Sequence, residues 1–99
     1  MDIDIIIPIY NAFDFVKKCI ETVIEHTDLT QHTLLLVNDK STDERILPLL
    51  NSFIKENQSL NIILIDNKDN QGFVRTVNIG MQYSHHDVVL LNSDTEVTR

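Results

Sequence analysis

The sequence predicts an α/β fold: a parallel sheet of four strands with helices on both faces. Three observations carry that prediction. Nearly continuous apolar runs recur at residues 4–10, 34–37, 60–66 and 87–91 of the 99-residue chain, and runs without polar alternation suit strands covered on both sides. Between them, apolar residues return at helical spacing instead of every second position. The resulting order, β-α-β-α-β-α-β, calls for parallel strands joined by right-handed crossovers.

The first run, Asp4-Ile5-Ile6-Ile7-Pro8-Ile9-Tyr10, is β-branched, and its proline belongs near the strand end, where a ladder donor can be missing. Asn11-Ala12 turns the chain. From Phe13 a helix places Phe13, Val16, Ile20, Val23 and Ile24 on one stripe and Asp14, Lys17, Lys18, Glu21 and Glu25 on the other. The second strand, Leu34-Leu35-Leu36-Val37, empties into Asn38-Asp39-Lys40-Ser41-Thr42-Asp43. Ser41 and Glu44 have capping-box spacing ahead of the stripe Ile46, Leu47, Leu50, Phe53 and Ile54. Pro48 either sits in that helix's first turn or bends it. A third strand follows at 60–66, then a polar loop and a third helix over 73–84 with Phe73, Val77 and Met81 inward. Gly80 on that face lets helix and sheet approach closely. The fourth strand, 87–91, runs into Asn92-Ser93-Asp94-Thr95-Glu96.

Composition narrows the function. Hydrophobic residues make up 42% and charged residues 23% of the chain, as in a globular domain, and no apolar run approaches the ~20 residues of a membrane span. A formal charge of −7 with scattered basic residues argues against a nucleic-acid partner. Acids at Asp2 and Asp4 occupy the place where an export signal carries basic residues, so a cytoplasmic location is expected. Cys19 is expected to be a small packed residue in a reducing compartment. His85 and His86, adjacent before the fourth strand, are read as loop residues.

In a parallel sheet all strand carboxyl ends lie on one side, and ligands bind in the crevice there. Three of these ends carry acids and amides, which points to a nucleotide or phosphosugar site. Asp39 can accept from donors of a base and ribose, while Asn38 can both donate and accept; a cap on the following helix is the alternative for this pair. Tyr10 can stack on a base, with Pro8 beside it on the same wall, or be a plain edge aromatic. Arg75 can neutralise a diphosphate or hold Asp39, or be a solvated surface side chain.

Four motifs, Ile7-Pro8-Ile9-Tyr10-Asn11-Ala12, Val37-Asn38-Asp39-Lys40-Ser41-Thr42-Asp43, Asn70-x-Gly72-Phe73-Val74-x-x-x-Asn78-x-Gly80 and Leu90-Leu91-Asn92-Ser93-Asp94-Thr95-Glu96, resemble those of family 2 glycosyltransferases of the GT-A fold, in the same order. The resemblance implies a Rossmann-like sheet of order 3-2-1-4 and a nucleotide-diphosphate-sugar donor. It also implies Mg²⁺ or Mn²⁺ on the diphosphate and transfer of the sugar, with inversion, to an acceptor saccharide or other hydroxyl. Residues 92–94 take the aspartate-x-aspartate position. Here the first acid is an asparagine, so Asp94 is the expected metal ligand, Asn92 assists or binds ribose, and Glu96 is a weaker candidate.

The resemblance places the general base beyond Arg99. It therefore makes residues 1–99 the donor-binding portion of a longer enzyme, with a non-catalytic nucleotide-binding or association module as the alternative. The strand order leaves the fourth strand at an edge, and a homo-oligomer joined there is expected.

Overall fold

The computed structural model describes residues 2–84 and 86–94. Seven elements follow one another: β1 (Ile3–Ile9), α1 (Phe13–His26), β2 (Thr33–Asn38), α2 (Ile46–Glu56), β3 (Ile62–Asp66), α3 (Phe73–Tyr83) and β4 (Asp87–Leu90). The strands form one parallel sheet of order β3-β2-β1-β4, as the resemblance implied.

Strand alternation sorts the core into two layers. Ile7, Ile9, Leu34, Leu36 and Ile62 pack with Val16, Cys19, Ile20 and Val23 of α1 and with Ile46, Leu50 and Phe53 of α2. Ile6, Leu35 and Val37 face the other way, with Ile63, Ile65, Val88 and the α3 residue Ile79 packed against them. The central strands therefore have no solvent face, which is why their sequences show no polar alternation. None of the described helices is long and apolar enough to cross a membrane.

Pro8 costs no sheet hydrogen bond. The Ile6 carbonyl accepts from Leu91 N–H at 2.9 Å and the Ile9 carbonyl from Asp39 N–H at 2.7 Å, so even residues of β1 turn their backbone groups toward β4. Pairing with β4 ends at Ile6 opposite Leu90, and Pro8 lies beyond that last rung. The turn after β1 holds Asn11 and Ala12 at φ +55° and +59°. Asn11 secures it by donating its N–H to Ser41 Oγ and its amide to Thr42 Oγ1, each at 2.9 Å, and by accepting Asp43 N–H at 2.9 Å.

Three expectations are corrected. Ser41 and Glu44 form no capping box, because the Ser41 hydroxyl donates to Asn38 Oδ1 at 2.7 Å. Asp43 closes the helix entry instead, its carboxylate accepting Arg45 N–H at 3.0 Å, and Pro48 sits in the first turn of α2. On α3 the buried residues are Thr76, Val77 and Gly80, whereas Phe73 and Met81 are 56% and 47% exposed. The helix is rotated to bring Gly80 onto Ile6, and a Cβ at Gly80 would lie 2.8 Å from Ile6 Cγ2. β4, read from sequence as buried, ends at Leu90 and is largely exposed, because only β1 pairs with it.

Candidate nucleotide-binding cleft

A cleft of about 420 Å³ opens at the carboxyl ends of the strands, lined by Pro8, Ile9, Tyr10, Asp39, Asn70, Gly72, Phe73 and Thr76. It lies on the α3 side of the sheet. Alternation explains the membership: Pro8 continues the row of Ile6, and Asp39 continues the row of Leu35 and Val37, all of which face α3.

Asp39 is the centre of this wall, at 4% exposure. Its Oδ1 accepts Gln71 N–H at 2.7 Å and the Asn67 amide at 3.0 Å, and its Oδ2 accepts Gly72 N–H at 2.9 Å. The Asn70 amide donates to the Asp39 carbonyl at 3.2 Å, so both ends of the residue fasten the β3–α3 loop. Gly72 has φ +83°, a conformation that favours glycine, and this turn aims two successive N–H groups at one carboxylate. Successive amides at a helix start form an anion site; here the chain fills its own site with Asp39. Burial alone would raise the carboxyl's pKa, but hydrogen bonds from Gln71, Asn67, Thr76 and Gly72 outweigh burial and hold it below the ordinary value of 3.8.

Of the residues singled out from sequence, the fold brings Pro8, Tyr10 and Asp39 together at this cleft. Asn38, expected beside Asp39, points to the opposite face and does not line it. Its side chain accepts from Ser41 N–H and Oγ and donates to Asp66 Oδ1 at 3.0 Å, a structural role imposed by the alternation of adjacent strand residues. Arg75 is exposed on α3 and forms no ion pair among the described residues; Asp39 is held by amides and a hydroxyl instead. Phe73, Asn67 and Thr76 were not anticipated at the site. Thr76 was legible as a neighbour of the inward Val77 and Gly80, whereas Asn67 looked like any polar residue after a strand.

Asn92 and Asp94 follow β4, both exposed, and lie outside the cleft lining. Glu96 and His85 fall outside the described residues. Among the described residues no group of three His, Cys, Asp or Glu side chains is gathered for a metal, and Asp94 is the one carboxylate described after β4. Cys19 beneath it donates its thiol to the Asn92 carbonyl at 3.7 Å. Burial, and then the Asp94 charge, push the thiol up to about 11.

The family model for glycosyl transferase family 2 matches residues 4–99. Among curated proteins, the chain is 33% identical over 73 residues to a poly(ribitol-phosphate) beta-glucosyltransferase of Bacillus spizizenii, covering 73% of this chain and 11% of that protein. It is 31% identical over 96 residues to polypeptide N-acetylgalactosaminyltransferase 11 of Xenopus tropicalis, covering 94% and 16%. The chain thus spans under a fifth of either relative.

Among solved structures, the mannosyltransferase PcManGT from Pyrobaculum calidifontis in complex with GDP-Man and Mn2+ superposes with a TM-score of 0.86 at 17% identity, over 95% of this chain and 28% of that one. S. aureus TarS 1-349 in complex with UDP-GlcNAc superposes with a TM-score of 0.76 at 19% identity, over 95% and 27%.

Proposed function

Because the chain belongs to glycosyl transferase family 2, we propose that residues 1–99 bind the nucleotide end of a nucleotide-diphosphate-sugar donor for inverting transfer to an acceptor hydroxyl. The observation that carries this reading is the cleft at the strand ends with the ionised Asp39 carboxylate in its wall. An acceptor-only group there suits bases with a ring N–H on the pairing edge, uracil, thymine or guanine, over adenine or cytosine, whose ring nitrogen on that edge is itself an acceptor. Tyr10 and Phe73, about half exposed at the mouth, supply flat apolar surface for a base. Complexes of structural neighbours with GDP-Man and with UDP-GlcNAc support the same donor class.

The start of α3 does not hold the diphosphate in this reading, since Asp39 occupies it. Asp94, assisted by Asn92, would instead hold a divalent cation against the charge of the diphosphate, and the Arg75 side chain, rather than the backbone of α3, would add positive charge. Oxygen donors on an exposed loop fit Mg²⁺ or Mn²⁺. Such a cation would stabilise charge on the departing diphosphate; the chain's own part is to present Asp94 after β4, at the carboxyl ends of the strands where the cleft opens. We assign no general base within residues 1–99, and donor binding is the share of the reaction proposed for them. The half-exposed edge of β4, with Val89 at 46% and Leu90 at 43%, supports self-association of this chain.

Equilibrium titration with UDP, GDP, ADP and CDP, with and without Mn²⁺, tests the reading. Tighter binding of UDP or GDP than of ADP and CDP, strengthened by Mn²⁺, is expected. Equal affinity for all four bases contradicts it.

A further inference from the structure

Asp4 lies at the end of the sheet away from the cleft and is 5% exposed. A carboxylate so buried is costly unless hydrogen-bonded, and two groups meet it. The Ser84 hydroxyl donates to Oδ2, and His86 Nδ1 lies 3.2 Å from Oδ1. Ser84 Oγ also accepts the His86 backbone N–H at 3.2 Å, while Ser84 N–H closes α3 on the Gly80 carbonyl at 3.1 Å. Asp4 therefore fastens two things to β1: the residue that ends α3 and the residue that enters β4. The proposed donor chemistry uses none of these three groups.

Apart from Val88, which packs against the layer of Ile6, Leu35 and Val37, β4 has little else to hold it. It pairs only with β1, residues 87–90 against 3–6, and two of its four side chains, Val89 and Leu90, are nearly half exposed. Its far end is tied by Leu91 N–H to the Ile6 carbonyl at 2.9 Å and by the weak Cys19 thiol bond to Asn92. A strand of this length spans only ~13 Å, so a slip at its foot reaches the loop at its head undiminished.

We infer that Asp4 is a positioning residue. Its clasp on Ser84 and His86 seats β4 in register and thereby sets where Asn92 and Asp94 stand relative to Asp39. The consequence for metal binding rests on the proposed role of Asp94; the seating of the strand does not.

Amide hydrogen exchange followed by NMR tests it. In Asp4→Ala and Ser84→Ala, exchange at the Leu91 amide accelerates by at least about tenfold, as expected when a hydrogen bond to a charged group is lost. Amides of β2 keep their rates, and Ser84→Thr, which retains the hydroxyl, returns Leu91 to its wild-type rate. In the alanine variants the Mn²⁺-dependent gain in UDP or GDP affinity shrinks while metal-free affinity holds. Unchanged Leu91 exchange in both alanine variants, or equal acceleration throughout β2, overturns the inference. A faster Leu91 with an untouched Mn²⁺-dependent gain upholds the seating of β4 and overturns the link from that seating to Asp94. The exchange measurement needs no ligand: a wild-type chain that binds no nucleotide sinks the donor reading but leaves the seating of β4 to be decided on Leu91 alone.

Discussion

The ends of β2 and β4 lie on the same edge of one parallel sheet and carry similar amides and acids, yet the fold treats them in opposite ways. At the end of β2, Asp39 is buried and its carboxylate takes backbone and side-chain donors from the β3–α3 loop. At the end of β4, Asn92 and Asp94 are exposed, and one weak thiol bond ties the segment to α1. Strand position accounts for the contrast. β2 is central and has neighbours on both sides, whereas β4 is an edge. In the proposed reading, the end of β2 is a preorganised nucleoside side and the end of β4 an open metal side, so stability and ligand binding should separate between the two.

Asp39→Ala sharpens that contrast most. It strands the N–H groups of Gln71 and Gly72 and the Asn67 amide, at a cost of about 3 kcal/mol, and urea unfolding should read that loss together with loss of nucleoside binding. Asp94→Ala should change unfolding by less than ~0.5 kcal/mol, as for an exposed residue outside the packed core. If the two variants lose equal stability, the comparison fails.

Acid should act on the same side. The folded pKa of Asp39 is depressed, so its contribution is fully present above the ordinary value and is lost as pH falls through the lower folded value. The stability gap between wild type and Asp39→Asn should therefore narrow below about pH 4. A gap unchanged down to pH 2 would show that the charge on Asp39 does not hold the loop.

Smaller effects probe the scaffold. Gly80→Ala places a Cβ 2.8 Å from Ile6 Cγ2, an atom close to the backbone; overpacking of ~1–3 kcal/mol against a helix-propensity gain of ~1 kcal/mol leaves a net loss of about 1 kcal/mol in thermal unfolding. Val89→Lys should leave monomer stability nearly unchanged and abolish self-association in light scattering. A wild-type chain that stays monomeric over a wide concentration range would remove the β4 edge as an association surface.

Much of this fold was legible because its strands are unambiguous. Residues 34–37 are a short continuous apolar run between two helical patterns, and that placed β2 correctly. Strand order came from resemblance, since nothing in one sequence says which strands are neighbours. At the site, Pro8, Tyr10 and Asp39 were legible as residues at strand ends. Asn38 was grouped with Asp39 from their common place after a strand, but neighbouring strand residues face opposite ways, and its side chain bonds Ser41 and Asp66 and does not line the cleft. The inward face of α3 was taken as 73, 77 and 81 from an i, i+4 row, when Gly80 already marked its centre. The filling of α3's amide site by Asp39 was beyond sequence, because it joins residues more than thirty positions apart.

The central claim is a division of labour between Asp39 and Asp94, and one titration tests it most directly. UDP or GDP affinity, whichever is higher in the wild type, is measured for wild type, Asp39→Asn and Asp94→Ala with and without Mn²⁺, each variant first shown to be folded. The account predicts that Asp39→Asn weakens binding in both conditions, whereas Asp94→Ala matches wild type without metal and loses the Mn²⁺-dependent increment. Equal loss in both variants under both conditions, or a full Mn²⁺ increment in Asp94→Ala, would contradict it.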